Sequence, residues 1–302
     1  MSTPERLRID ANGLGFGALA WGDPAAPLAL LVHGYPDSAW TWRHLGPYLA
    51  ERGWRAVAPF TRGYAPTDLA PDDSYLVADL RDDVLALHTA LGGDERSVLV
   101  GHDWGAVAAY AAMEADPNRF RAYVTLAVPP PPAILKPMTT RATARMAVRQ
   151  TAMSWYFVFN QLPGAARAQD RVIPRLWRDW SPGHDAREDL TRVFEALSGP
   201  GRRRAAVRYY RNNLQRGLKA TFTIRPKAPV LYLHGEGDGC MQADIATCFP
   251  DALPAGSRYE RVPGVGHFLQ LEDPERVNAL VSDWIGSPTG ADRPDPGVDA
   301  AI

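Results

Sequence analysis

Short apolar runs alternate with longer amphipathic stretches along much of this chain. That alternation predicts a mainly parallel sheet covered by helices. The clearest strands are LALLVH at Leu28–His33, RAVAP at Arg55–Pro59, SVLVG at Ser97–Gly101, AYVTLA at Ala122–Ala127 and PVLYLH at Pro229–His234. Arg6–Asp10 and Gly15–Trp21 read as an opening antiparallel pair. Between these runs, Trp42–Arg52, Leu76–Leu91 and Ala106–Ala115 have helical character. Near the end, Asp273, Pro274 and Glu275 supply an N-cap, a proline at the first helical position and an acid in the first turn. The helix they start is expected to reach about Ile285.

The alternation breaks after Val128, where Pro129 to Pro132 interrupt regular structure. From there to about Thr221 the pattern is helical, rich in Arg and aromatics, with no strong strand. The economical organisation is a sheet domain in two parts, 1–131 and 223–286, with a helical cap inserted over 132–222. Such an insertion would lie over the C-terminal edge of the sheet, where ligands of open α/β sheets bind. Residues 287–302, rich in Pro, Gly and Asp, read as a disordered tail.

Composition narrows the partners. The 302 residues are 46% hydrophobic and 22% charged, with a net charge of −1, so no overall field would steer in a nucleic acid or an anionic membrane. MSTPERLRID has no apolar core for a signal peptide, and no run reaches the roughly 18 apolar residues of a membrane span. Cys240 and Cys248 form neither a metal-ligand pattern nor a disulfide framework, which fits a reducing cytoplasm. Association into a homodimer stays open.

The sharpest chemical signal is Gly101-His102-Asp103-Trp104-Gly105, set between a strand and a helix. Glycines two residues either side of a central residue are the spacing of a G-x-S-x-G nucleophile elbow. Here the central residue is Asp103. A carboxylate is ionised above its ordinary pKa of about 3.9 and attacks an sp³ carbon without a general base, giving an alkyl ester. After the strand LALLV comes His33-Gly34-Tyr35-Pro36. The backbone N–H groups of Tyr35 and Trp104 would form an oxyanion hole, in which one donor is worth roughly 3 kcal/mol. Gly235-Glu236-Gly237-Asp238 and Gly264-Val265-Gly266-His267 complete the chain order nucleophile, acid, histidine. His267 would activate water and Asp238 would orient it, with Asp244 and then Glu236 as other candidates for the acid.

With these pieces placed, the chain resembles the epoxide hydrolases of the α/β-hydrolase fold, from about Leu14 to Ile285. The resemblance rests on HGYPDSAWTWRHL at 33–45, Thr61-Arg62-Gly63-Tyr64, GHDWG at 101–105 and the acid and histidine loops. It implies an α/β-hydrolase fold with an inserted helical cap, and two cap tyrosines that hydrogen-bond the epoxide oxygen. The segment from Tyr156 through Gln161 to Pro163-Gly164 matches one tyrosine pattern, although Asn160 stands where an aromatic is common. Tyr210-Arg211-Asn212 matches the other, with Tyr209 beside it. A phenol keeps its proton at pH 7 and can steady the alkoxide that ring opening releases.

The implied reaction converts a small apolar epoxide to a vicinal diol through an ester on Asp103, with no metal or organic cofactor. His33, Pro36, Trp155, Phe157 and Phe159 are candidates for the pocket wall, while Trp177 and Trp180 either line it or pack the cap. The nearest rival is a haloalkane dehalogenase, which shares the Asp, the acid and the His. Tyr35 stands where such an enzyme would carry Asn, and the two cap tyrosines would have no task in it. A non-catalytic ligand-binding protein on the same scaffold is the rival of another class, and the completeness of the expected residues weighs against it.

Overall fold

The computed structural model describes residues 3–135, 141–216, 218–248 and 250–288. Eight strands form one sheet: β1 Glu5–Ala11, β2 Leu14–Trp21, β3 Leu28–Val32, β4 Arg55–Pro59, β5 Val98–His102, β6 Ala122–Leu126, β7 Val230–Gly235 and β8 Arg258–Val262. Their order across the sheet is β1-β2-β4-β3-β5-β6-β7-β8. β2 runs antiparallel to β1 and to β4, and all the other pairings are parallel. β3 and β5 are buried throughout, as expected of strands covered on both faces.

Helices in the first part of the chain are α1 Leu45–Ala50, α2 Val77–Ala90 and α3 Trp104–Ala115. Between β6 and β7 lie α4 Pro131–Leu135, α5 Ala144–Met153, α6 Trp155–Gln161, α7 Gln169–Trp180, α8 Arg187–Ala196, α9 Arg202–Gln215 and α10 Leu218–Thr223. The chain closes with α11 Asp244–Cys248, α12 Leu269–Glu272 and α13 Pro274–Ile285. Strand order reverses at β3: the chain steps one way to β4, then back past β3 to β5. Right-handed crossovers therefore put α1 on one face and α2 and α3 on the other. The loops after β3 and β5 meet in the crevice this reversal opens.

Two expectations change and one strand is added. The helix expected over Trp42–Arg52 is a 3₁₀ turn at Ala39–Trp42 followed by α1. Pro47 has no N–H for an intrahelical bond, so it fits only within a first turn, and the helix restarts around it. Pro131 and Pro132 do not stop regular structure; they occupy the first turn of α4, for the same reason. β8 went unread because only Val262 of its five residues is fully buried. It is an edge strand carrying Arg258, Glu260 and Arg261, charges that discourage further pairing. Asp273 does cap α13, accepting from the Arg276 N–H at 3.2 Å. The expected tail lies outside the described residues except for 287 and 288. No described helix is long and apolar enough to cross a membrane.

A buried ion pair ties the loop after β4 to α2. The Arg62 guanidinium grips Asp83 with Nε and Nη2, both at 2.6 Å, and Nη1 donates to the Ser74 carbonyl at 2.8 Å. Asn12, in the turn between β1 and β2, donates to the same carboxylate at 2.8 Å. Arg62→Met should cost about 3–5 kcal/mol in urea unfolding, because it leaves the Asp83 carboxyl buried without its partner.

Candidate active site

Asp103 joins β5 to α3 with φ 53° and ψ −119°, a backbone conformation rare for a residue with a side chain. Such a conformation costs on the order of 1–3 kcal/mol and persists only where the surroundings impose it. Here they do. A Cβ on Gly101 would stand 2.3 Å from the Gly105 carbonyl oxygen, and one on Gly105 would stand 2.0 Å from that of Val32. Only glycines let β3, β5 and α3 approach so closely. The turn pushes the Asp103 side chain out beside the first turn of α3.

One carboxylate oxygen is already held by a backbone donor. The Tyr35 N–H donates to Asp103 Oδ1 at 2.7 Å. Gly34 makes the space: a Cβ there would lie 2.2 Å from that oxygen and 2.4 Å from the Trp104 nitrogen. The His33 ring holds this loop from below. Its Nδ1–H donates to the Gly34 carbonyl at 2.9 Å and its Nε2 accepts from the Thr61 N–H at 3.0 Å. Burial pushes the His33 imidazole down to about 4, which keeps Nε2 free to accept.

His267 stands over the other oxygen. Its Nε2 is 3.7 Å from Asp103 Oδ2 and has no hydrogen-bond partner among the described residues, while its Nδ1–H donates to Asp238 Oδ2 at 2.9 Å. Asp238 Oδ1 accepts from the N–H groups of Cys240 at 2.6 Å and Met241 at 3.0 Å. Burial works against an imidazolium at His267, but the charge of Asp238, reinforced by Asp103, raises it to about 10. Burial likewise opposes ionisation of Asp238, yet His267 and His234 hold it well below the usual carboxylate range. Asp244 and Glu236 instead face Arg261 at the surface, at 2.8 and 3.4 Å. The structure therefore brings Asp103, His267 and Asp238 together and leaves the other two acids outside.

The cap supplies the opposing wall. Tyr156 on α6 and Tyr210 on α9 have ring centroids 5.5 Å apart, edge to face, and both line a cavity of about 250 Å³ into which Asp103 opens. The Tyr210 ring also meets Tyr35 and Trp104, at 5.0 and 5.4 Å. The Tyr156 hydroxyl lies 3.2 Å from Cys240 Sγ. Burial, with the Asp103 charge nearby, pushes both well above the usual tyrosine range. Both stay protonated and able to donate. Arg211 fixes their separation: its guanidinium donates to the carbonyls of Asn160 at 2.8 Å and Leu162 at 2.7 Å, clamping the end of α6 to α9. Tyr209 turns the other way and donates to the Arg62 carbonyl at 2.8 Å.

Residues 27–274 match the family model of the alpha/beta hydrolase fold. Among similar proteins is "Epoxide hydrolase 3" of Siraitia grosvenorii, 38% identical over 94% of this chain and 99% of that protein. Another is "Epoxide hydrolase A" of Mycobacterium tuberculosis, 28% identical over 94% of this chain and 98% of that protein. The crystal structure of the epoxide hydrolase VrEH1 from Vigna radiata matches with a TM-score of 0.76 and 28% identity, covering 94% of this chain and 98% of that one. The chain belongs to the epoxide hydrolase family of the α/β-hydrolase fold.

Within this epoxide hydrolase fold the expected pocket residues divide. Phe157 lines the cavity, with Trp104, Val107, Leu214 and Met241 among its apolar neighbours. His33, Pro36, Trp155 and Phe159 do not line it. His33 is spent on the loop below Asp103, and the Pro36 carbonyl accepts from Trp177 Nε1 at 2.8 Å. The Trp155 ring packs under Arg175, 4.7 Å away, and against Phe159. Trp177 stacks on Phe268 at 3.5 Å, so it packs the cap onto the histidine loop.

Sequence reasoning missed Cys240, whose thiol reaches the cavity, and the end of α7. There the Trp180 carbonyl accepts from the N–H groups of both Gly239 and His267, at 3.1 Å each. No local motif announces either. Asp238, Cys240 and His267 are the one cluster of potential metal ligands among the described residues. Asp238 already accepts from two backbone N–H groups and from His267, and burial pushes the Cys240 thiol well up, so these groups suit a hydrogen-bonded triad better than a cation.

Gly34→Ala should lower both the thermal stability of the fold and turnover, the latter by on the order of 10²-fold or more, because the new methyl would stand 2.2 Å from Asp103 Oδ1 and 2.4 Å from the Trp104 nitrogen and the elbow must shift to admit it. Circular dichroism alongside steady-state kinetics checks both halves of this expectation.

Proposed function

We propose that this protein hydrolyses compact epoxides to vicinal diols through a covalent ester on Asp103. One observation carries the reading: a carboxylate with one oxygen held by the Tyr35 N–H opens into an apolar cavity shared with two protonated phenols. At about 250 Å³ the cavity is smaller than the roughly 300–1,000 Å³ common for drug-sized ligands, so compact substrates fit best.

The two oxygens of Asp103 take different tasks. Oδ2, which makes no backbone hydrogen bond among the described residues, attacks a ring carbon, and the carbon–oxygen bond of the epoxide breaks. Tyr156 and Tyr210 donate hydrogen bonds to the oxygen as charge develops on it. Oδ1 becomes the carbonyl oxygen of the ester and is already in place beside Tyr35 N–H.

Ester formation removes a negative charge 3.7 Å from His267. With that charge gone, the imidazolium loses part of what stabilised it and yields its proton to the alkoxide. The neutral imidazole then takes a proton from water, whose oxygen adds to the ester carbon. The N–H groups of Tyr35 and Trp104 hold the resulting oxyanion; as it collapses, Oδ2 leaves on the diol and takes the proton of the added hydroxyl, so Asp103 is again a carboxylate. His267 is again an imidazolium between two carboxylates. Base strength thus appears after the nucleophile has been consumed, which protects Asp103 from competition with water for the substrate.

In one turnover in heavy-oxygen water with enzyme in excess, the diol should carry unlabelled oxygen and the label should appear in the peptide containing Asp103. A labelled diol would mean that water attacks the substrate directly and would overturn the reading. His267→Gln should accumulate the ester, seen in intact-protein mass spectra as an increase equal to the substrate mass.

Replacing either Tyr156 or Tyr210 with Phe should slow ester formation by on the order of 10²-fold, and replacing both should nearly stop it. Stopped-flow fluorescence of Trp104 and Trp180 follows that step. An active double variant would remove the tyrosines from the mechanism.

A further inference from the structure

Asp238 serves two imidazoles. His267 Nδ1 approaches its Oδ2 from one side at 2.9 Å, and His234 Nε2 lies 3.1 Å from the same oxygen. Both histidines and the carboxylate are fully buried side chains. His234 sits at the end of β7, four residues before Asp238, and nothing in the triad's chain order calls for it. Its Nε2 is also 3.1 Å from the Met241 carbonyl. Two acceptors around one nitrogen require that nitrogen to carry the proton. The other ring nitrogen, Nδ1, is hydrogen-bonded to the Tyr232 hydroxyl, which can donate to it. Tyr232 is itself buried, and burial pushes its phenol well above the usual range, so it keeps the proton it donates. The hydrogen bonds run in one direction, from Tyr232 through His234 to Asp238.

We propose that His234, held by Tyr232, is a positioning residue that shares Asp238 with His267 and tempers the basicity of His267 during ester hydrolysis. This rests on the reading that His267 activates water. A carboxylate that accepts an additional hydrogen bond has less electron density to offer the imidazolium beside it. His234 thereby weakens the hold of Asp238 on the His267 proton. It also fixes the Asp238 oxygens from the side away from the substrate, just as the N–H groups of Cys240 and Met241 fix Oδ1.

The charged and titratable surroundings are few. His267 faces Asp103, Asp238 and the His102 ring, the last at a centroid distance of 4.9 Å. Asp238 faces His267, His234 and the Cys240 thiol, with Tyr156 beyond it. Tyr232 is stacked on Tyr259 at 5.0 Å. Across β8, Arg261 is in register with His234 but is engaged by Asp244 and Glu236 at the surface. No other charge competes for the face of Asp238 that His234 occupies, among the described residues.

Removing His234 should therefore let Asp238 hold the His267 proton more tightly. The base form appears at higher pH, so the acid limb of ester hydrolysis moves upward. Ester formation, which needs no base, should stay within about two-fold. The experiment compares the wild type with His234→Phe, His234→Gln and Tyr232→Phe. Ester formation and ester hydrolysis are followed separately in single turnovers by rapid quench and mass spectrometry across pH.

His234→Phe should move the hydrolysis limb up by about one pH unit, a loss of about ten-fold on the limb. His234→Gln, whose amide can donate in place of Nε2–H, should restore most of the rate. Tyr232→Phe, which frees the ring to place its proton on Nδ1, should fall between them. An unmoved limb in both His234→Phe and Tyr232→Phe overturns the proposal, as does a His234→Gln variant that behaves like Phe. If the Phe variant does not fold, Tyr232→Phe and His234→Gln decide the matter. Trapping of the ester by His267→Gln separates the two levels: no ester there sinks the reaction scheme, whereas a trapped ester with unmoved limbs sinks only the role of His234.

Discussion

A carboxylate can stand clear of a sheet edge only if the backbone beneath it turns through a conformation that side chains disfavour. Asp103 does this at φ 53°, and the structure around it is shaped by that turn. The carbonyls of Val32 and Gly105 come within reach of where Cβ atoms would be on Gly105 and Gly101. The same closeness leaves Gly34 no room for a side chain, and that empty space receives Asp103 Oδ1. The strain is thus held by strand and helix packing in the core and appears at the floor of the cavity as a fixed nucleophile.

The cap is part of the site and not a cover laid over it. The end of α7 satisfies N–H groups from both the acid loop and the histidine loop through one carbonyl, that of Trp180. Gly239 and Gly266 allow the approach, since a Cβ on Gly239 would meet the Asp179 carbonyl at 1.9 Å and one on Gly266 that of Trp180 at 2.4 Å. Tyr35 works on both sides of this boundary: its N–H serves Asp103, and its hydroxyl donates to Gln169 on α7 at 2.5 Å. α9 is tied down in the same manner, with Asn212 accepting from Tyr75 N–H and Asn213 from Val77 N–H, both at 2.9 Å. Tyr210 is therefore placed by hydrogen bonds to the core and to α6, and its aim follows from theirs.

Electrostatics in the site follow from the same burial. Two carboxylates flank His267 away from water, so its affinity for a proton depends on whether both are ionised. Alkylation of one changes that balance without any movement of the backbone. A donor behind the other, such as His234, lowers that affinity further, in the same sense. These effects are large because no solvent screens them.

Much of the fold was legible in the chain. Strand positions followed from apolar runs, the elbow from Gly101 and Gly105 flanking an acid, and the acid and histidine loops from their order. These features are local: periodicity and glycine spacing constrain the backbone within a few residues. Where local signals were weak the reading fell short, as at the polar edge strand β8 and around Pro47. What sequence left open was decided by residues far apart in the chain. Asp238 rather than Asp244 meets His267, Tyr210 rather than Tyr209 enters the cavity, and Phe157 reaches it while Trp155 and Phe159 do not. Those outcomes depend on which way each helix is rotated when α6, α7 and α9 pack on the sheet, and rotation is set by contacts between segments that no local pattern encodes.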